Sequence, residues 1–355
     1  MPGGLCTLPV SEAMISQQNS AMHTNHLIVK CKSCDTPGSL LKREGAYVCD
    51  RCGASFSEQN GILILEKNAD VNLRLSDRIL DIHKFREQRL FYDVYVESDV
   101  EFYGRLHSVE FTDFHSEFLS AYLPNAIIAD LGCGELPSIN EFPNDAGVQS
   151  YYGLDLSMAS LVMANEWFNR KFPLHLLFDG ILNTPFPDNS VDIVISSEVL
   201  EHLDEPIAYL REAYRICKPG GHLSLSTPCA SLYLYPHNFL AILRRPSRFR
   251  EWYSALNSHK NWKDALPRHP ALQPRVLREW AGAAGFTVER HETRLWYYHT
   301  PLRVAWRFFQ LLEKVGASWA GRAFYKYLKM TDQILASQIP LIKYMGIRQF
   351  ILCRK

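Results

Sequence analysis

Two sets of residues in this 355-residue chain have types and spacing that could do chemistry: four paired cysteines near the start, and a run of acids and glycines between Asp130 and His202. The cysteines form Cys31-x2-Cys34 and Cys49-x2-Cys52. Each pair puts two thiolates on one tight turn, and two facing pairs complete a closed tetrahedral zinc site with no open position for water. Lys30, Lys32 and Arg51 stand close enough to favour the thiolates, and Gly53 frees the second turn. A redox dithiol would need one such pair at a helix start rather than two in a glycine-rich ribbon, so the site reads as structural.

In the second set, Asp130-Leu131-Gly132-Cys133-Gly134 closes the apolar run Ala126 to Leu131, which reads as a buried strand. Glycines just past a strand end let the backbone approach a ligand closely. A second short strand, Ser150 to Leu154, ends on Asp155. An acid about 20 residues after a glycine loop is where a Rossmann-like fold holds ribose hydroxyls, so the pair predicts a pocket for an adenosine-containing cofactor. Further on, Ser197-Glu198-Val199-Leu200-Glu201-His202 follows another strand, at the carboxyl edge where open α/β sheets place ligands. His202 is the candidate general base, since a neutral imidazole takes a proton near pH 7, and Glu201 is a candidate to orient it. Glu198, Glu201 and His202 stand at i, i+3 and i+4, a spacing that shares one face of a helical turn. The run resembles that of small-RNA 2′-O-methyltransferases and ubiquinone-pathway O-methyltransferases, which implies a hard divalent cation such as Mg2+ on the two carboxylates and the imidazole, with His237 or His269 as a fourth ligand. The structural alternative is that His202 only orders its loop.

The elements that must carry these residues alternate in type. Leu174 to Phe178 reads as a third strand ending on Asp179-Gly180, and Val191 to Ser196 as a fourth after the turn Pro185 to Ser190. A helix starts near Pro206, whose ring suits a first helical position, and stops at Lys218-Pro219-Gly220-Gly221. His222 to Ser226 is a fifth strand, Gly285 to Arg290 a sixth and Ile347 to Cys353 a seventh.

Six elements in order across Ile127 to Pro228 resemble the class I S-adenosylmethionine-dependent methyltransferases, type 11-like: the Asp-Leu-Gly-Cys-Gly loop, Asp155-Leu156-Ser157, Asp179, Pro185-Phe186, Glu201-His202 and Lys218-Pro219-Gly220-Gly221. The resemblance implies an α/β fold, a Rossmann-like seven-stranded sheet with helices on both faces. It also implies S-adenosylmethionine as cofactor, with Asp130, Gly132 and Gly134 cradling its methionine part. Asp155 would take both ribose hydroxyls, Leu156 would lie against the adenine, and Asp179 with the Gly180 N–H would meet the adenine edge. The family often has a third glycine where this chain has Leu136, which puts the turn geometry in question. An NAD-type dehydrogenase on the same fold leaves the Asp179-Gly180 pair and the Lys-Pro-Gly-Gly turn poorly explained. The cysteine segment resembles the small zinc ribbons ahead of the catalytic domain in certain rRNA guanine methyltransferases and in other methyltransferases.

These readings divide the chain into a disordered leader (1–26), a zinc ribbon (27–66), a helical or lid segment (67–125) and a methyltransferase domain (126–355) with cap insertions at 228–285 and 291–345. Tyr92, Tyr95 and Tyr103 are candidate lid residues. The scattered cysteines fit a reducing, cytoplasmic compartment, and no stretch approaches the ~18 apolar residues of a membrane span.

Net charge is zero over the whole chain, yet residues 231–355 hold 21 Lys+Arg against 7 Asp+Glu, and the remainder 17 against 31. Six of the seven tryptophans also lie in that carboxyl-terminal part. Basic plus aromatic composition suits an anionic partner: a phosphorylated or glycosidic ligand, a membrane surface touched peripherally, or a nucleic acid. O-methylation of a small-molecule or glycan acceptor, lipid-linked or phosphorylated, is the leading expectation, because the fourth strand lacks the Asn/Asp-Pro-Pro-aromatic motif that amino-methylating nucleic-acid enzymes of this fold use. RNA methylation through the ribbon and the basic cap is the alternative, and a non-catalytic scaffold is disfavoured by intact cofactor residues.

Overall fold

The computed structural model describes residues 27–66, 113–136, 138, 142, 143, 146–168, 172–229, 272–294 and 348–355. The expected leader, most of the 67–125 segment with Tyr92, Tyr95 and Tyr103, the greater part of both insertions, and His237 and His269 lie outside the described residues.

The ribbon supplies β1 (Leu40–Arg43), β2 (Ala46–Cys49), β3 (Ser55–Gln59) and β4 (Ile62–Ile64). After them come β5 (Ile127–Leu131), β6 (Ser150–Asp155), β7 (Leu174–Phe178), β8 (Val191–Ser197), β9 (Cys217–Pro228), β10 (Thr287–Arg294) and β11 (Arg348–Arg354). All pair into one sheet in the order β1-β2-β3-β4-β7-β6-β5-β8-β9-β11-β10. Strands β7, β6, β5, β8 and β9 run parallel, whereas β11 is antiparallel to both of its neighbours, so the sheet is mixed and Rossmann-like. The order turns back between β5 and β8, and crevices at such switch points are where open α/β sheets bind ligands.

Helices cover both faces. The first, α1 (Asp113–Leu119), and the second, α2 (Met158–Trp167), pack with Phe118, Leu119, Leu161 and Ala164 against one side. The third, α3 (Pro206–Ile216), and the fourth, α4 (Pro274–Ala284), pack with Leu210, Ala213, Leu277 and Trp280 against the other. Local chemistry sets their ends: Ser157 caps α2 by accepting the Ser160 N–H at 3.2 Å, and α3 and α4 each open on proline, whose missing N–H is no loss in a first turn.

Three boundaries differ from the sequence reading. The ribbon is not a separate unit: β4 runs parallel to β7, both Leu65 N–H and Glu66 N–H donate to Phe178 O, and Leu27, Val29, Leu40 and Phe56 share one core with Leu131, Leu154 and Leu177. Residues 274–284, assigned to the 228–285 cap, form α4 instead, with Trp280 buried in the main core rather than on a basic surface. Finally, β9 starts at Cys217, but the expected Lys218-Pro219-Gly220-Gly221 turn is kept as a bulge within it: Gly220 has φ 80°, and the ladder with β8 passes from Val191–Cys217 straight to Ile193–His222.

Candidate cofactor pocket and active site

The four cysteines converge. Their sulfurs all lie within 4.8 Å of one another, with Cys31 and Cys52 at 3.7 Å and Cys34 and Cys49 at 3.6 Å. A tetrahedron with Zn–S bonds of about 2.3 Å has edges of about 3.8 Å, so the spacing fits a four-thiolate zinc site. The two knuckles repeat one geometry: Asp35 N–H donates to Cys31 O and Gly53 N–H to Cys49 O, each at positive φ, 58° and 72°. Asparagine-like and glycine residues tolerate that region best.

At the carboxyl ends of β5, β6 and β7 stand Asp130, Asp155 and Asp179 on or just past three adjacent strands. Gly132 has φ 79°, and a Cβ there would meet Val199 Cγ2 at 2.5 Å, so both backbone and space require glycine. Gly134 and Gly180 face open space instead, where a Cβ would meet nothing within 4 Å. Leu136 keeps the turn that a third glycine would make: its φ is 61°, its N–H donates to Cys133 O, and its side chain is buried.

Asp155 ties the loops together. Its Oδ2 accepts the Gly134 N–H at 2.9 Å, and its Oδ1 accepts those of Leu156 and Ser157 at 2.7 and 2.8 Å. Three of roughly four carboxylate acceptor sites are then filled, so gripping both ribose hydroxyls requires the Gly134 contact to open. Burial pushes its carboxyl up, against those three donors. Asp130 is buried, takes the Tyr151 hydroxyl on Oδ2 at 2.5 Å and has no hydrogen-bond partner on Oδ1. Burial pushes it up to about 7. Asp179, with no exposed surface, accepts the Gly180 N–H on Oδ1, and its Oδ2 is ion-paired with Lys32 Nζ at 2.7 Å. Burial outweighs that ammonium and pushes Asp179 up to about 6. The orphaned oxygen of Asp130 and the second lone pair of Asp179 Oδ2 are acceptor sites that the amino groups of S-adenosylmethionine would satisfy, so these residues fit the cofactor. Leu156 is half-buried beside them.

The loop after β8 departs from its expected geometry. Glu198 has φ 55°, so the turn that holds Leu200–His202 starts beyond it and the three candidate metal ligands do not share a helical face. Glu201 points into the core, where Thr227 Oγ1 donates to Oε2 at 2.9 Å, and burial followed by the Glu198 charge raises its carboxyl well above the usual range. Glu198 Oε2 instead meets Arg348 of β11 at 3.3 Å. His202 is 43% exposed, with Nε2 3.8 Å from Glu201 Oε1, beyond hydrogen-bond reach. Among the described residues the cysteines alone form a group of three or more metal-ligating atoms within 4.8 Å of one another, so Glu198, Glu201 and His202 offer no such cluster for Mg2+.

Three residues at these sites, Thr227, Arg348 and His115, escape sequence reasoning, and Lys32, expected beside the thiolates, turns instead to Asp179. Thr227 meets a candidate acid, and Arg348 arrives from the far end of the chain. His115 of α1 is buried between Ser224 Oγ at 2.7 Å and Ser197 Oγ at 2.6 Å, and burial lowers it to about 4, so it stays neutral, one ring nitrogen donating and the other accepting. No motif surrounds it; only the pairing of a helical histidine with serines in two strands marks it.

Residues 129–225 match the family model described as the methyltransferase domain. This segment is a methyltransferase domain. An uncharacterized methyltransferase of Schizosaccharomyces pombe is 32% identical over 126 residues, covering 32% of this chain and 45% of that protein. A malonyl-[acyl-carrier protein] O-methyltransferase of a Marinomonas species is 30% identical over 101 residues, 28% of this chain and 37% of that one. A phthiotriol/phenolphthiotriol dimycocerosates methyltransferase of Mycobacterium leprae is 26% identical over 188 residues, 50% of this chain and 68% of that one. The chain thus spans less than half the length of the first two relatives.

Proposed function

We propose that the protein transfers the methyl group of S-adenosylmethionine to an oxygen of a small-molecule or glycan acceptor, lipid-linked or phosphorylated, and that its four cysteines hold a structural zinc. The observation that carries the reading is the row of Asp130, Asp155 and Asp179 at three adjacent strand ends, with an orphaned buried oxygen on Asp130, above glycines that border open space. Oxygen as the acceptor atom is supported by the continuation of β8 into Ser197-Glu198 without the motif of amino-methylating enzymes, and by the name of the Marinomonas relative.

When bound, the cofactor supplies a methyl group already activated on a sulfonium, so little covalent help is asked of the chain. Asp130 and Asp179 would hold the two ends of the cofactor through its amino groups, and Asp155 would position the ribose while tying the two loops. Gly132 allows Val199 to close against the loop and keep water from beneath it. His202, 43% exposed on the turn after β8, would remove the acceptor proton. Buried Glu201, bonded to Thr227 and raised in pKa, would anchor the turn that presents His202 rather than share the proton. The basic, tryptophan-rich carboxyl-terminal part would face the anionic portion of the acceptor, with peripheral membrane contact where that acceptor is lipid-linked.

Protein incubated with isotopically methyl-labelled cofactor and extracts of small molecules, glycans and lipids should produce a labelled species one methylene heavier than its precursor. Asp155→Ala should weaken cofactor binding at least tenfold, since charge-assisted hydrogen bonds are worth about 1.5–3 kcal/mol each. Calorimetry decides the second point, and unchanged affinity would remove the pocket assignment.

A further inference from the structure

The first knuckle carries Lys32 between its cysteines, and that side chain leaves the ribbon for the sheet. Its Nζ is 2.7 Å from Asp179 Oδ2 and donates to Asn183 O at 2.6 Å. A carboxylate oxygen has two acceptor sites, so the ammonium balances the charge of a fully buried carboxylate and leaves one acceptor site on Oδ2 open. The backbone on either side is fixed. Lys30 N–H donates to Pro185 O, Leu65 N–H to Phe178 O, and Asp179 N–H to Asp155 O, so the knuckle, the end of β7 and the ribose acid form one connected frame.

We propose that Lys32 is a positioning residue for the adenosine end of the cofactor pocket, and that through it metal binding at the four cysteines and cofactor binding at Asp179 are positively coupled. The proposal rests on the reading of Asp179 as the acceptor for the adenine amino group and of the cysteines as a zinc site. Without metal, the Cys31–Cys34 turn that aims Lys32 is not cross-linked to its partner knuckle. A buried carboxylate deprived of its cation is costly and takes up a proton, and the neutral acid is a weaker acceptor. Coupling between two binding sites is reciprocal, so bound cofactor must tighten zinc by the factor by which zinc tightens cofactor.

The test uses the full-length, zinc-loaded protein and S-adenosylhomocysteine as probe. Lys32→Met should lose about tenfold in affinity by calorimetry, with zinc content and circular dichroism unchanged, and Lys32→Arg should recover most of it. Adding Lys32→Met to Asp179→Asn should cost little more than Asp179→Asn alone, because the lysine acts through the acid. In a chelator competition, the probe should raise the zinc affinity of the wild-type protein and leave that of Lys32→Met unaltered. Wild-type affinity in Lys32→Met overturns the positioning role, and a zinc affinity indifferent to the probe overturns the coupling. A wild-type protein that holds no zinc, or that fails to bind the probe, overturns the proposal at its foundation, and elemental analysis and wild-type calorimetry reveal those failures before any variant is made.

Discussion

Asp130 and Asp179 carry opposite consequences for binding and for stability as pH changes. Both are raised above the ordinary carboxylate value, to about 7 and about 6, and burial is the leading cause in each. The folded, cofactor-free protein therefore holds protons that the unfolded chain has released, so these two groups favour folding at low pH and lose that contribution as pH rises through 6 and 7. A ligand donating hydrogen bonds prefers the ionised acids, so affinity for S-adenosylhomocysteine should fall as pH drops from 8 to 5, and binding near pH 6.5 should release protons. Calorimetry in buffers of different ionisation enthalpy measures that release; proton uptake instead would contradict the assignment. His202 belongs to the chemical step. His202→Ala should slow turnover by roughly 10²-fold with cofactor affinity nearly unchanged, and undiminished turnover would leave it as a residue that orders its loop. The sequence displays these acids and the histidine because their types and spacing are themselves the signal. It conceals the pairing of Lys32 with Asp179 and the roles of Thr227, Arg348 and His115, which arise only when distant segments meet, and it conceals the positive φ of Glu198, which breaks the expected i, i+3, i+4 face.

At the scale of elements, the buried parallel strands were legible nearly to the residue: Leu174–Phe178 is β7 as read, and Val191–Ser197 extends the reading by one position. Short apolar runs bounded by turns leave little alternative. The ribbon strands β1 and β3, with mixed polar sequences, were not legible, nor was α4, whose proline and helical spacing lay inside a segment read as a cap. Nothing in Ile62-Leu63-Ile64 specifies pairing with β7, since an apolar run fits a ribbon core and a sheet edge equally. That pairing alters what zinc removal should do. If the ribbon were a free appendage, stripping its metal would leave the main transition untouched. With Leu27, Val29, Leu40 and Phe56 in the core of the sheet, a loosened ribbon uncovers the edge strand β7 and takes apolar burial with it. Elemental analysis should find about one zinc per chain, and chelation should lower the melting temperature of the whole protein by more than ~5 °C, given about 2–4 °C per kcal/mol for a chain of this class. Calorimetric melting that shows the main transition unmoved would return the ribbon to the status of an appendage.

For the whole molecule, the division of charge sets the remaining expectation. Within the described carboxyl-terminal residues the basic groups are largely engaged: Arg290 and Arg294 with Glu117 and Glu292, Arg348 with Glu198, and Arg275 with Glu279. The surplus of 21 Lys+Arg over 7 Asp+Glu in 231–355 therefore resides chiefly in 231–271 and 295–347, together with Trp252, Trp262, Trp296, Trp306 and Trp319. No helix among the described residues is long and apolar enough to cross a membrane. Each basic side chain near an anionic surface contributes about 1 kcal/mol, attenuated beyond a Debye length of about 8 Å at physiological salt. The protein should accordingly sediment with vesicles containing phosphatidylserine at low ionic strength, sediment much less with neutral phosphatidylcholine vesicles, and dissociate from the former on adding salt. Competition by a short double-stranded RNA at equal phosphate concentration would move the acceptor side toward nucleic acid. Equal sedimentation with neutral and anionic vesicles would show that the basic residues are paired within the fold, and would confine the anionic partner to a ligand small enough to enter the pocket.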